Sequence, residues 1–168
     1  MAILFDSVAQ GSATSDTLTV QQVIAANSDR LLMVGVSAEI LTVTNTGLST
    51  ITWNGTALTR IDDFTFTDDD RNWIGQYYLK NPDSGTHDIV VTMNDTQKGI
   101  SLTGISLYNV DQTTPIEDNA NSSSSGTDVG TSVTASATSS WVVDVCSNLN
   151  SGTNQVADAG RRSCLHSF

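Results

Sequence analysis

The sequence predicts an all-β protein, an antiparallel β-sandwich of jelly-roll type with about ten strands. Short apolar runs separated by turn chemistry fill most of the chain. The composition is rich in Asp, Asn, Ser and Thr and poor in Lys and Glu, which favours strands and turns over helices. The stretch from Ser49 to Asn94 holds a hairpin, a strand-turn-strand and most of the large aromatic side chains, so the core should be heaviest there.

The hairpin is Ile51-Thr52-Trp53, then Asn54-Gly55, then Thr56-Ala57-Leu58. Asn-Gly suits a two-residue type I′ turn, because both central residues need positive φ. That turn pairs Trp53 with Thr56 and Ile51 with Leu58. Arg71 to Leu79 then puts Trp73, Tyr77 and Leu79 on one face and Ile74 and Tyr78 on the other. Asn81-Pro82-Asp83-Ser84-Gly85 is a turn, and His87 to Met93 is a third extended run.

The flanking segments follow in order. Ile3 to Val8 is a short apolar strand ended by Gln10-Gly11-Ser12. Thr17 to Val20 alternates as a strand covered on one face does, and Ala25 to Asp29 is a loop. Arg30 to Val36 is nearly continuous apolar and reads as a central strand buried on both faces; an amphipathic helix over Val20 to Leu32 is the alternative. Asn45-Thr46-Gly47 is a turn. Ile100 to Val110 is an inner strand, or one bulged near Gly104. Asp111 to Pro115 is a turn and Asn119 to Gly126 a flexible polar loop. Val129 to Ala137 is a thin Ser/Thr-rich strand, and Trp141 to Val145 a strong one. Past Cys146 the pattern stops, and residues 146–168 form an atypical polar and basic tail.

At 168 residues the chain reads as one domain, 1–168, able to bury a substantial core. Its formal charge is −11, and Glu39 and Glu117 are the only glutamates, so the acid is nearly all Asp. Such a balance opposes nucleic acid, which needs a basic patch to replace condensed counterions, and it opposes anionic membrane surfaces. It serves solubility and mutual repulsion at high local concentration. Cys146 and Cys164 do not make a disulfide framework. The start of the chain lacks the basic residues and long apolar core of a signal peptide, so an extracellular setting implies either another route out, such as lysis, or a sequence already processed.

The chain offers little chemistry. His87 lies in a turn entering a strand, where a structural hydrogen bond is expected, and His166 lies in the tail. There is no Gly-x-Ser-x-Gly elbow, no zinc-ligand spacing around the cysteines and no glycine-rich phosphate loop. A carboxylate pair for glycoside hydrolysis is a question of geometry. The expectation is a non-enzymatic protein. One cluster stands out: Asp62 and Asp63 with Asp68, Asp69 and Asp70. Hard oxygen ligands on a loop suit calcium, with Asp68, Asp69 and Asp70 as the candidate ligands, while a solvated acidic loop between Arg60 and Arg71 is the plainer alternative. Exposed Trp or Tyr would serve as sugar platforms, but Trp53 and Trp73 alternate with apolar neighbours and read as core.

The order of segments resembles a family of β-sandwich modules met in phage structural gene clusters and in bacterial secreted or surface proteins. The residues that carry the resemblance are Ser28-Asp29-Arg30-Leu31-Leu32-Met33-Val34-Gly35-Val36, Trp53-Asn54-Gly55-Thr56-Ala57-Leu58-Thr59, Tyr77-Tyr78-Leu79-Lys80-Asn81-Pro82-Asp83-Ser84-Gly85-Thr86-His87 and Asn109-Val110-Asp111-Gln112-Thr113-Thr114-Pro115. These are turns and core strands rather than a site, so the resemblance implies a fold and a setting. That setting is a virion, or alternatively a cell surface. The implied partners are other structural subunits: a homo-oligomer, or a capsid or tail protein contacted by a decoration, head-fibre or tail-fibre subunit. A carbohydrate-binding module is the reading from another class, and two or more exposed aromatics beside Asp or Asn would favour it.

Modules of this kind close with an apolar strand after the Trp141 segment. Arg161 to His166 has neither alternation nor a β-branched run, which predicts an unclosed edge. A neighbour's terminal segment, Ala2 to Val8 or the tail, would then fill that edge. The competing expectation is a tail folded back on its own sheet.

Overall fold

The computed structural model describes residues 2–40, 47–65, 72–94, 97–124, 130–135, 139–149 and 161–167. Among these there is no helix. The strands are β1 (Leu4–Ala13), β2 (Thr17–Ile24), β3 (Leu31–Ile40), β4 (Leu48–Trp53), β5 (Thr56–Ala57), β6 (Thr59–Thr65), β7 (Asn72–Lys80), β8 (Gly85–Met93), β9 (Gln97–Tyr108), β10 (Asn119–Ser124), β11 (Val143–Leu149) and β12 (Arg161–Ser167). They form a five-stranded sheet in the order β1-β9-β3-β7-β6, a four-stranded sheet β2-β8-β4-β5 and a three-stranded sheet β10-β12-β11.

The first two sheets are one long ribbon rolled up. Its tip is Asn54-Gly55, with φ of 47° and 79°, as a type I′ turn requires. From that tip outward β4 pairs with β5, β3 with β7, β2 with β8 and β1 with β9, all antiparallel. Successive strands of the first arm alternate between the two sheets; in the second arm β6 and β7 are neighbours in the five-stranded sheet before β8 and β9 alternate again. Rolling the ribbon sets β9 beside β3 and β8 beside β4, which closes a jelly roll. Trp53 stands opposite Thr56, and the Leu58 N–H donates to the Ile51 carbonyl, as the hairpin signal predicts.

Between the two sheets lies the main core. β2 alternates strictly, burying Leu18, Val20, Gln22 and Ile24, so the helix alternative for this stretch is excluded. Leu32, Val34 and Val36 of β3 face Ile89 and Val91 of β8 across Trp53 and Trp73. Both tryptophans are fully buried, as their apolar neighbours predict. β9 runs past Gly104 without a register shift, so it is the inner strand and not a bulged one. Gly104 serves packing instead: a Cβ there would stand 2.4 Å from Gln22 Oε1 and 2.5 Å from Ile89 Cδ1. The bulges fall at Asp6 in β1 and near Ile40 in β3.

The five-stranded sheet is also apolar on its outer face, at one end. Leu31, Met33, Leu107 and Val110 form a second buried cluster with Ile61, Tyr78, Ile105, Ile116 and Val143 against it. This accounts for the unbroken apolar run of β3, the central strand, which is buried on both sides. The three-stranded sheet lies over this face, touching chiefly β3, β6 and β7. β11 lies so close that a Cβ on Gly35 would sit 2.0 Å from Val145 Cγ2. Gln76, buried in β7, donates from Nε2 to the Val143 carbonyl at 3.0 Å and ties the layer down.

The C-terminal part departs from the sequence reading. Asn119–Ser124 is strand β10 and not a loop. The described part of the expected thin strand, residues 130–135, is not a strand. The strong strand begins at Val143, leaving Trp141 and Val142 outside it. Arg161–Ser167 pairs with β10 on one side and β11 on the other. The tail therefore folds back within its own chain, and Ala2 to Val8 leads into β1, paired with β9. Backbone pairing on both sides substitutes for the missing apolar pattern, and Cys146, which is disulfide-bonded, stands opposite Cys164 in the register.

Candidate functional site

The expected calcium ligands Asp68, Asp69 and Asp70 lie outside the described residues. The other two acids of that cluster are engaged by the chain's own donors. Asp62 Oδ2 accepts from Asn121 Nδ2 at 2.9 Å and from Asn119 Nδ2 at 3.4 Å, which pins β10 to β6. Asp63 pairs with Arg60 at 3.0 Å. The nearby Tyr77 phenol is pushed well above its ordinary pKa by burial, with Asp63 adding to the effect and Arg60 opposing it. Among the described residues no group of three His, Cys, Asp or Glu side chains is placed to hold a metal. His87 Nε2 lies 3.2 Å from the Ser84 carbonyl and its ring meets Trp53 edge-on, which fits the structural role expected of it. His166 stands in β12, opposite Ala120 and Asp144.

Two surface features remain. The first is an apolar strip on β1. Phe5 stands opposite Leu107 and Val8 opposite Ile105, so both side chains share the outer face of the five-stranded sheet with the second cluster. Yet Phe5 is 49% and Val8 56% exposed, because the overlying layer rests chiefly on β3, β6 and β7. The edge of β1 itself is blunted at the bulge. Gln22 Nε2 donates to Ser7 Oγ, Ser7 Oγ donates to the Val23 carbonyl, and the Ala25 N–H donates to Asp6 Oδ2.

The second is a groove of about 620 Å³ where the β9 end and the 109–117 segment meet Ser139 and Ser140. Asp29, Asn109, Asp111, Gln112, Thr114 and Glu117 supply its polar wall. It continues into a cleft of about 50 Å³ floored by Leu31, Met33, Leu107 and Val143 and walled by Trp141. The wall is built by the Asp111-Gln112-Thr113-Thr114 turn. Asp111 Oδ1 accepts the N–H groups of Thr113 at 2.6 Å and Thr114 at 3.3 Å, which holds its carboxyl below the usual carboxylate range. Gln112 Nε2 donates to the carbonyls of Val110 and Arg30, fastening the turn to the start of β3. Across the groove Ser140 Oγ donates to Glu117 Oε2 at 3.2 Å, and Trp141 Nε1 donates to the Ile3 carbonyl at 3.2 Å. Trp141 is 40% exposed, against none for Trp53 and Trp73.

Sequence reasoning found neither feature. Phe5 and Val8 read as ordinary strand residues, and Trp141 as the head of a strong strand. The signal for Trp141 was its place directly after Ser139-Ser140 and before the β-branched run, at a strand mouth and not inside it. No family model, curated protein or solved structure matches the chain.

Proposed function

We propose that this chain is a non-enzymatic structural subunit, a phage virion component of the decoration, head-fibre or tail-fibre kind, working through protein–protein contacts in a homo-oligomer or on a capsid or tail protein. The observation that supports this reading is the uncovered apolar strip, Phe5 and Val8, on a chain that is otherwise strongly acidic. Water-exposed apolar side chains grouped on one sheet face are the feature by which a surface gains from a partner. The bulge and its stitches block strand addition along the β1 edge, so the contact is face to face. The acidic remainder keeps assembled particles apart.

Sedimentation velocity across a wide concentration range tests the assembly. The wild type should self-associate and the Phe5→Ser, Val8→Ser double variant should sediment as a folded monomer. A wild-type chain that stays monomeric at millimolar concentration, and does not bind purified particles in a pelleting assay, would overturn the proposal.

A further inference from the structure

We infer that the groove beside Trp141 is a binding site for a short neutral oligosaccharide. A sugar ring presents a flat patch of C–H groups on one side and a girdle of hydroxyls around its rim. A site for it needs an exposed aromatic plane next to planar amides and carboxylates, which accept from and donate to vicinal hydroxyls. The groove supplies the polar groups, and the cleft that continues it supplies a single exposed aromatic, Trp141, which makes a small sugar subsite and not the two-aromatic platform of a carbohydrate-binding module.

Trp141 is the exposed tryptophan, and its Nε1 donates to the Ile3 carbonyl. That bond fixes the indole at the wall of the cleft that continues the groove, without burying it, so no ordering of the ring is needed when a ligand arrives. Opposite polar groups are held as well. Ser140 Oγ orients the Glu117 carboxylate, and two backbone N–H groups orient that of Asp111. Asn109, at φ 59°, donates from Nδ2 to the Ala2 carbonyl and lines the groove. The volume of about 620 Å³ lies within the range of roughly 300–1,000 Å³ that takes a small ligand.

Charge selects among sugars. Asp29, Asp111 and Glu117 line the groove, and the chain as a whole carries −11. The neighbouring cations Lys80 and Arg30 are engaged by backbone carbonyls, Lys80 by that of Gln112 and Arg30 by those of Pro82 and Asn27. An acidic sugar or a phosphate would meet the repulsion of the groove's carboxylates, while a neutral hexose meets acceptors for its hydroxyls. This site is separate from the β1 strip, and its occupancy does not depend on self-association.

Tryptophan emission tests it directly, because Trp53 and Trp73 are fully buried and acrylamide quenching therefore reports Trp141. The full chain is titrated with cellohexaose, chitohexaose, maltohexaose and, as the acidic comparison, hexagalacturonate. At least one neutral hexamer should give a saturable blue shift and a loss of acrylamide quenching, and hexagalacturonate should give neither. Calorimetric titration of Trp141→Ala should show affinity reduced more than tenfold, and of Glu117→Gln a few-fold, with thermal melting near wild type in both. No saturable response to any neutral hexamer, equal binding of the acidic one, or binding that survives Trp141→Ala would overturn the inference.

Discussion

The rolled ribbon and the layer laid over it are both β-sheet, yet they are held in different ways. In the ribbon the apolar stripes of β2, β3, β8 and β9 face the opposite sheet and converge on two buried tryptophans. In the layer, Asn119–Ser124 and Arg161–Ser167 have no such stripe. It is attached by Val145 against Gly35, by Gln76 on the Val143 carbonyl, by two Asn side chains on Asp62 and by its own backbone ladder. Burial of apolar area organises the first region and hydrogen bonds organise the second. Since a hydrogen bond in water contributes only about 0.5–1.5 kcal/mol net, the layer should open before the roll does.

The largest expected effect comes from the shared foundation. Trp53 is fully buried, donates from Nε1 to the Asp83 carbonyl and holds the His87 ring edge-on. Trp53→Ala should cost about 3–5 kcal/mol, and both regions should lose structure together in a urea titration followed by circular dichroism. Survival of the roll with this change would mean the two cores are less coupled than the topology implies.

A smaller effect should separate the regions. Gly35→Val places a branched side chain where Val145 packs, on a central strand that otherwise favours β-branched residues. Hydrogen exchange should then quicken about tenfold or more in β11 and β12, a change of about 1.4 kcal/mol, while β2 and β8 stay protected. Equal loss of protection everywhere would erase the distinction drawn here.

The smallest effect concerns the turn between the regions. The Asp111 carboxyl has its pKa lowered by the N–H groups of Thr113 and Thr114. A depressed folded value means that the turn's extra stability is complete above the ordinary carboxylate value of 3.8 and is lost as pH falls through the folded value. In an NMR titration the Thr113 amide shift should therefore move at a lower pH than those of amides beside solvated Asp residues.

The same contrast explains what was legible in the sequence. Asn54-Gly55 dictates its own backbone, and Ile51, Trp53, Trp73 and Tyr77 alternate in a way that only a covered strand explains, so the roll could be read directly. β10 could not, because Asn119-Ala120-Asn121-Ser122 has no face to bury and becomes a strand only through Asp62 and a distant partner. β12 was hidden for the same reason. The groove depends on where residues 109–117 meet Ser139 and Ser140 across the fold, and no local spacing encodes that meeting. Trp141 carries the same side chain as Trp53, and only the tertiary arrangement leaves one open and the other closed.

The ribbon's pairing has a consequence for biosynthesis. Among the described residues no two of β1, β2, β3 and β4 pair as neighbouring strands; every ladder partner they have lies beyond Gly55. As the chain leaves the ribosome, its first third therefore emerges with apolar stripes and nothing to pair with, until the second arm follows and zips back from the tip. Folding must wait for translation to pass β9, and during that interval the nascent chain is a natural client for chaperones that shield extended apolar segments. By the same logic a nick at Gly55 would yield two pieces that are each unstructured in the roll and that regain it only by recombining.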